Sequence, residues 1–98
     1  MREMIELISI EPSKRKDKKL VATFKVDDKI KHIHFGLKNS LTYAEGADEK
    51  TKNAYIARHS VREDWTTPLN AGSLSFWVLW SSQSIDKGIK NYKNLFKL

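Results

Sequence analysis

The chain has 98 residues, 18 Lys and Arg against 12 Asp and Glu for a formal charge of +6, 40% hydrophobic content and no cysteine. That length predicts one domain, residues 1–98, with a single core, and the composition excludes a wholly disordered or low-complexity chain. The lack of cysteine excludes disulfide frameworks and thiolate zinc fingers and fits a reducing, intracellular compartment.

In chain order, residues 4–10 (Met-Ile-Glu-Leu-Ile-Ser-Ile) read as a β-strand that ends at Glu11-Pro12. Residues 13–19 form a charged connection with five cations and one acid. Residues 20–26 give a second strand, with Leu20, Ala22, Phe24 and Val26 on one face by period-two alternation. Asp27-Asp28-Lys29 is a tight turn, and residues 30–35 a third strand closed by Gly36. Such short connections suit antiparallel pairing, so a three-stranded meander is expected.

Residues 37–46 read as an irregular loop. Asp48 is a good N-cap for a helix running to Arg58 or His59, thin in apolar residues and suited to an edge of the core. After a loop over 60–70, Asn70 caps a helix over 71–80 whose apolar side chains (Leu74, Phe76, Trp77, Val78, Leu79, Trp80) surround it, the pattern of a buried central helix. Ser84 caps a last helix over 85–96, with Ile85, Ile89, Tyr92 and Phe96 on one face and Lys87, Lys90, Lys93 and Lys97 on the opposite arc. The fold class is α+β, a meander packed against about three C-terminal helices. The start Met1-Arg2-Glu3-Met4-Ile5-Glu6 lacks the apolar run of a signal peptide, and Phe76–Trp80 is far short of the ~20 residues of a membrane span, so no membrane partner is expected.

The positive charge favours polyanionic partners, chiefly nucleic acid. Two arrays could grip phosphates without reading bases: Lys14, Arg15, Lys16, Lys18 and Lys19 on the first hairpin tip, and Lys87, Lys90 and Lys93 on the last helix. Each array is also what a solvated loop or the wet side of an amphipathic helix looks like. Arg58 and Arg62, with His59, suggest a cationic pocket flanked by Tyr55 and Trp65 for stacking. Favourable placement of Arg58 and His59 at a helix C-terminus explains those two equally well.

His32 and His34, two apart on a strand, share a face and could recruit His59 for a three-histidine metal site. No H-E-x-x-H motif or neighbouring acid accompanies them, so neither metal nor cofactor is expected. Ser60 beside His59, with Glu63 and Asp64 close by, is no triad, because triads are recognised by geometry. The chain also lacks a glycine-rich phosphate loop and a G-x-S-x-G motif, so no enzyme is expected.

Phe35-Gly36, Tyr55-Ile56-Ala57-Arg58-His59, Trp65, Pro68, Ala71-Gly72, Ser75, Trp77 and Leu79-Trp80, followed by Ile89, Tyr92-Lys93 and Phe96, resemble an uncharacterised family of small proteins. That family is encoded by large DNA viruses of algae and amoebae, of phycodnavirus and mimivirus type. The resemblance covers about residues 20–98. It departs after Gly36, where the family has Ser-Asp-Tyr-Thr and this chain has Ser40-Leu41-Thr42-Tyr43, without the acid. It implies a virus-encoded protein of the host cytoplasm or nucleus, or of the virion, and transfers little chemistry.

Together these features lead to the expectation of a non-enzymatic protein that binds nucleic acid through backbone phosphates, without sequence preference. The alternative is a structural or scaffolding protein, such as a minor virion component. It would use a protein partner or a second copy at a patch around Trp65 and Tyr43.

Overall fold

A computed structural model describes residues 4–98. Its strands are β1 (Ile5–Pro12), β2 (Lys18–Val26) and β3 (Lys29–Leu37), paired antiparallel in the order β1-β2-β3. Its helices are α1 (Glu49–His59), α2 (Ala71–Leu74) and α3 (Ile85–Phe96). The α+β meander with C-terminal helices is the architecture expected from sequence. The expectation drawn from residues 1–3 about a leader lies outside the described residues.

The first hairpin is tighter than the charge pattern suggested. Strand pairing runs to Pro12↔Leu20 and Lys18↔Leu37, so only residues 13–17 form the connection. Lys18 and Lys19 are therefore β2 residues rather than tip residues. Ser13 closes the end of the ladder, its amide donating to the Lys19 carbonyl at 2.9 Å. A register shift between Leu7 and Ser9 makes Ile8 the extra residue of a β-bulge. The bulge has a purpose in packing: it lets Ile5, Leu7 and Ile10 all join the core, which strict alternation would forbid. The second hairpin turns on Asp27 and Asp28 with φ of 48° and 73°. Two consecutive left-handed residues make the turn whose twist matches antiparallel strands, and Asp tolerates that region better than most residues.

One face of the sheet carries Leu20, Ala22, Phe24, Val26, Ile33 and Phe35 into the core, where Leu74, Val78, Leu79, Trp80 and Tyr92 meet them. The register puts Thr23, Lys25, Ile30, His32 and His34 on the other face. Each expected helix N-cap is made by its side chain. Asp48 accepts from the Thr51 amide, Asn70 from that of Ser73 and Ser84 from that of Lys87, at 2.8, 2.7 and 3.0 Å.

Two local structures differ from expectation. Inside the loop over 37–46, Tyr43–Glu45 forms a 3₁₀ turn, with the Thr42 hydroxyl and amide donating to Glu45 Oε1 at 2.6 and 3.2 Å. Burying Thr42 and Tyr43 under the helices holds this turn in place. The helix expected over 71–80 is α-helical only through Leu74; Ser75–Trp80 is π-helical. The wider turn brings residues five apart onto one side, so Ser75 and Trp80 face the same space. The Ser81 hydroxyl, donating to the Trp77 carbonyl at 2.6 Å, helps complete the hydrogen bonding at its end.

The α3 helix is held by two close contacts. Gly88 lies against the backbone of Val78, where a Cβ would overlap the Val78 carbonyl. Tyr92 is fully buried, and its hydroxyl donates to the Pro68 carbonyl at 2.7 Å. Gly36, with φ of +79°, allows Leu79 to approach the end of β3.

Candidate functional site

A recess of about 360 Å³ opens between the ends of β2 and β3, the 40–42 segment, α1 and the Ala71–Trp80 helix. That volume falls at the small end of ligand sites, which run about 300–1,000 Å³. Phe35, Leu41, Tyr55 and Trp80 supply apolar walls, and Ser40, Thr51 and Ser75 add hydroxyl-bearing side chains. Lys18, Arg58, His59 and Glu63 supply the charge and the imidazole.

The aromatic part of the site is a stack of three rings. Tyr55 lies between His59 and Trp80, with centroids 4.1 and 4.2 Å away. A ring stacked at that distance on two partners has both faces occupied. Tyr55, expected as a stacking platform for a base, instead holds up the wall of the site. Burial first, and the Glu63 carboxylate second, push its phenol above the ordinary tyrosine value, so it carries no charge near neutrality.

Glu63 organises the other side. His59 Nδ1 lies 3.1 Å from Glu63 Oε1, and the Trp65 indole donates to Glu63 Oε2 at 2.9 Å. An ionised carboxylate only accepts, so this contact places the hydrogen of His59 on Nδ1. The other ring nitrogen, Nε2, makes no hydrogen bond among the described residues. Trp65 is half-buried and stacks on Phe76 with centroids 4.0 Å apart, while its carbonyl accepts from the Trp77 indole at 3.0 Å. It braces Glu63, and Phe76 covers one face of its ring. The i, i+4 spacing of His59 and Glu63 was visible in sequence, but the end of the helix at His59 hid that it would matter.

The expected cations divide into groups. Lys18 and Arg58 meet at the recess. Lys14, Arg15 and Lys16 are exposed on the adjoining hairpin tip, where Arg15 pairs with Asp17 at 3.2 Å. Lys19 is not available: its side chain is only 11% exposed, pairs with Glu45 at 3.1 Å and donates to the Lys38 carbonyl. Burial alone would raise the Glu45 carboxyl, but hydrogen bonds from Thr42 and Lys19 outweigh it and hold it below the usual range. Arg62 is exposed just beyond α1.

None of the α3 lysines lines the recess. Lys87 borders a separate depression with Tyr43, Lys52, Ser84 and Asn91. At about 100° per residue, Lys90 and Lys93 turn about 60° and about 120° away from Lys87 around the helix. The recess thus draws its two cations from β2 and α1, and the last helix supplies none of them.

The histidines do not form the considered trio. His32 and His34 lie on the open sheet face, bonded to the Thr23 and Ser13 hydroxyls at 3.0 and 2.7 Å. His59 sits in the recess instead. Among the described residues, no cluster of three or more His, Cys, Asp or Glu could hold a metal ion. Tyr43, expected on an exposed protein-binding patch with Trp65, is 9% exposed and has the Lys52 ammonium over its ring. No helix among the described residues is long and apolar enough to cross a membrane.

A three-stranded meander backed by C-terminal helices, with a cation-rimmed recess where the two layers meet, defines a small basic α+β protein. The chain belongs to the family of unknown function DUF5754, whose model matches residues 8–59. It is also similar to Uncharacterized protein L851 of Acanthamoeba polyphaga mimivirus, at 34% identity over 80 residues, covering 74% of this chain and 80% of that protein. No solved structure matches it. The resemblance to uncharacterised proteins of large DNA viruses holds. The family match runs from within β1 to the end of α1, and so includes Lys18, Tyr55, Arg58 and His59 of the recess.

Proposed function

We propose that this protein binds nucleic acid through backbone phosphates, without catalysis and without reading sequence. The observation that carries the proposal is the position of Lys18. It stands at the junction of the exposed hairpin tip with Lys14 and Lys16 and the recess with Arg58. Among the described residues, Lys14, Lys16, Lys18, Arg58 and Arg62 make no ion pair, so their charge is available to a polyanion. The formal charge of +6 adds long-range attraction. Among the described residues, the Tyr55 ring of the recess is stacked on both His59 and Trp80, which favours shape- and charge-driven contact.

The test is fluorescence anisotropy with internally labelled oligonucleotides across a salt series. Five phosphate contacts predict log–log salt slopes of about −4.5 for duplex and about −3.5 for single strands. Affinities should differ little among sequences of equal length. Absence of binding at low salt, or binding that is flat across the series, sinks the proposal.

A further inference from the structure

We infer that the recess takes the terminal phosphomonoester of a nucleic-acid strand, so that the protein prefers strand ends to uninterrupted backbone. The inference rests on the polyanion reading for the class of ligand and on separate geometry for the end preference. A continuous strand needs a groove that it can enter and leave. This recess is walled by β3, the 40–42 segment, α1 and the Ala71–Trp80 helix, and buried Phe35, Tyr55 and Trp80 are among its lining. Its size suits one terminal residue rather than a run of several.

The charges fit the same ligand. A phosphomonoester carries about −1.5 to −2 near neutrality, whereas an internal diester carries one negative charge. Two cations, Lys18 and Arg58, line the recess. Its one carboxylate, Glu63, is engaged by His59 and Trp65. The planar Arg58 guanidinium can hold two phosphate oxygens at once. The hairpin tip, with Lys14 and Lys16, then meets the internal phosphates that follow. The π-helical turn contributes by placing Ser75 and Trp80 together on the wall.

The experiment compares one oligonucleotide in three forms, with a 5′-phosphate, a 3′-phosphate or hydroxyls at both ends, and adds a nucleoside monophosphate as competitor. At least one phosphorylated form should bind about tenfold tighter than the hydroxyl form, and the monophosphate should compete for that extra affinity. Arg58→Ala and Lys18→Ala should each erase most of the end preference, while Lys90→Ala leaves it intact. Both recess substitutions remove cationic side chains at the rim, and circular dichroism confirms that the variants fold. Equal binding of all three forms overturns this inference and leaves backbone binding standing. Binding of the monophosphate with no affinity for any oligonucleotide form overturns both, because no strand is then held. Failure of every ligand overturns both.

Discussion

Helices α1 and α3 are close in length, and each carries three Lys or Arg residues, yet they do opposite work. The α3 helix turns Ile85, Ile89, Tyr92 and Phe96 into the core and presses Gly88 against Val78. Its lysines are the solvated remainder of an amphipathic helix. The α1 helix buries only Tyr55, and the residues at its end, Arg58 and His59, line the recess with it. The cleanest amphipathic pattern in the chain marks scaffold, and the weakest marks the candidate site. A strong apolar stripe reports what a helix must bury, which is why it says little about where a ligand goes.

The comparison is broken most directly through α3. Tyr92→Ala removes a fully buried ring and its bond to Pro68, and should cost about 3–5 kcal/mol in urea unfolding. Gly88→Ala comes next. Overlap with the Val78 carbonyl, a backbone atom that cannot swing aside, outweighs the roughly 1 kcal/mol gained in helix propensity and should leave a net loss of about 2 kcal/mol. If Gly88→Ala were neutral by the same measurement, the close α3–Val78 packing would be wrong.

On α1 the balance inverts. Arg58→Ala should move stability by less than about 0.5 kcal/mol, because the side chain is exposed. It should weaken oligonucleotide binding severalfold and lower the magnitude of the salt slope by about 1, read by anisotropy. A large stability loss with unchanged binding would assign Arg58 to scaffold.

Acid separates the two helices more gently. Hydrogen bonding from Thr51 lowers the Asp48 carboxyl below its ordinary value. A carboxyl depressed in the folded state stabilises above its unfolded value and loses that contribution as pH falls through the folded one. The α3 cap is the Ser84 hydroxyl, which does not titrate in this range. Amide exchange at pH 3 should therefore show the first turn of α1 fraying relative to neutral pH, with the first turn of α3 much less changed. Equal loss at both starts would contradict the difference in caps. The smallest expected effects are those of Lys90→Ala and Lys93→Ala, within about twofold in binding and about 0.5 kcal/mol in stability.

The amino-acid sequence by itself determined the elements and their order. Alternation over Leu20–Val26, the caps at Asp48, Asn70 and Ser84, and the stripe of Ile85, Ile89, Tyr92 and Phe96 are local patterns, and the structure keeps them. Only the tertiary structure decided which charges border a common recess. Lys18 and Arg58 are forty residues apart and meet at one recess, while Lys19, next to Lys18, is drawn to Glu45. The bulge at Ile8, the buried turn at Tyr43 and the π-helical stretch over Ser75–Trp80 arise because packing between distant segments overrides local preference. Backbone propensity acts over a few residues, but charge and burial act through space, and space is set only once the chain has folded.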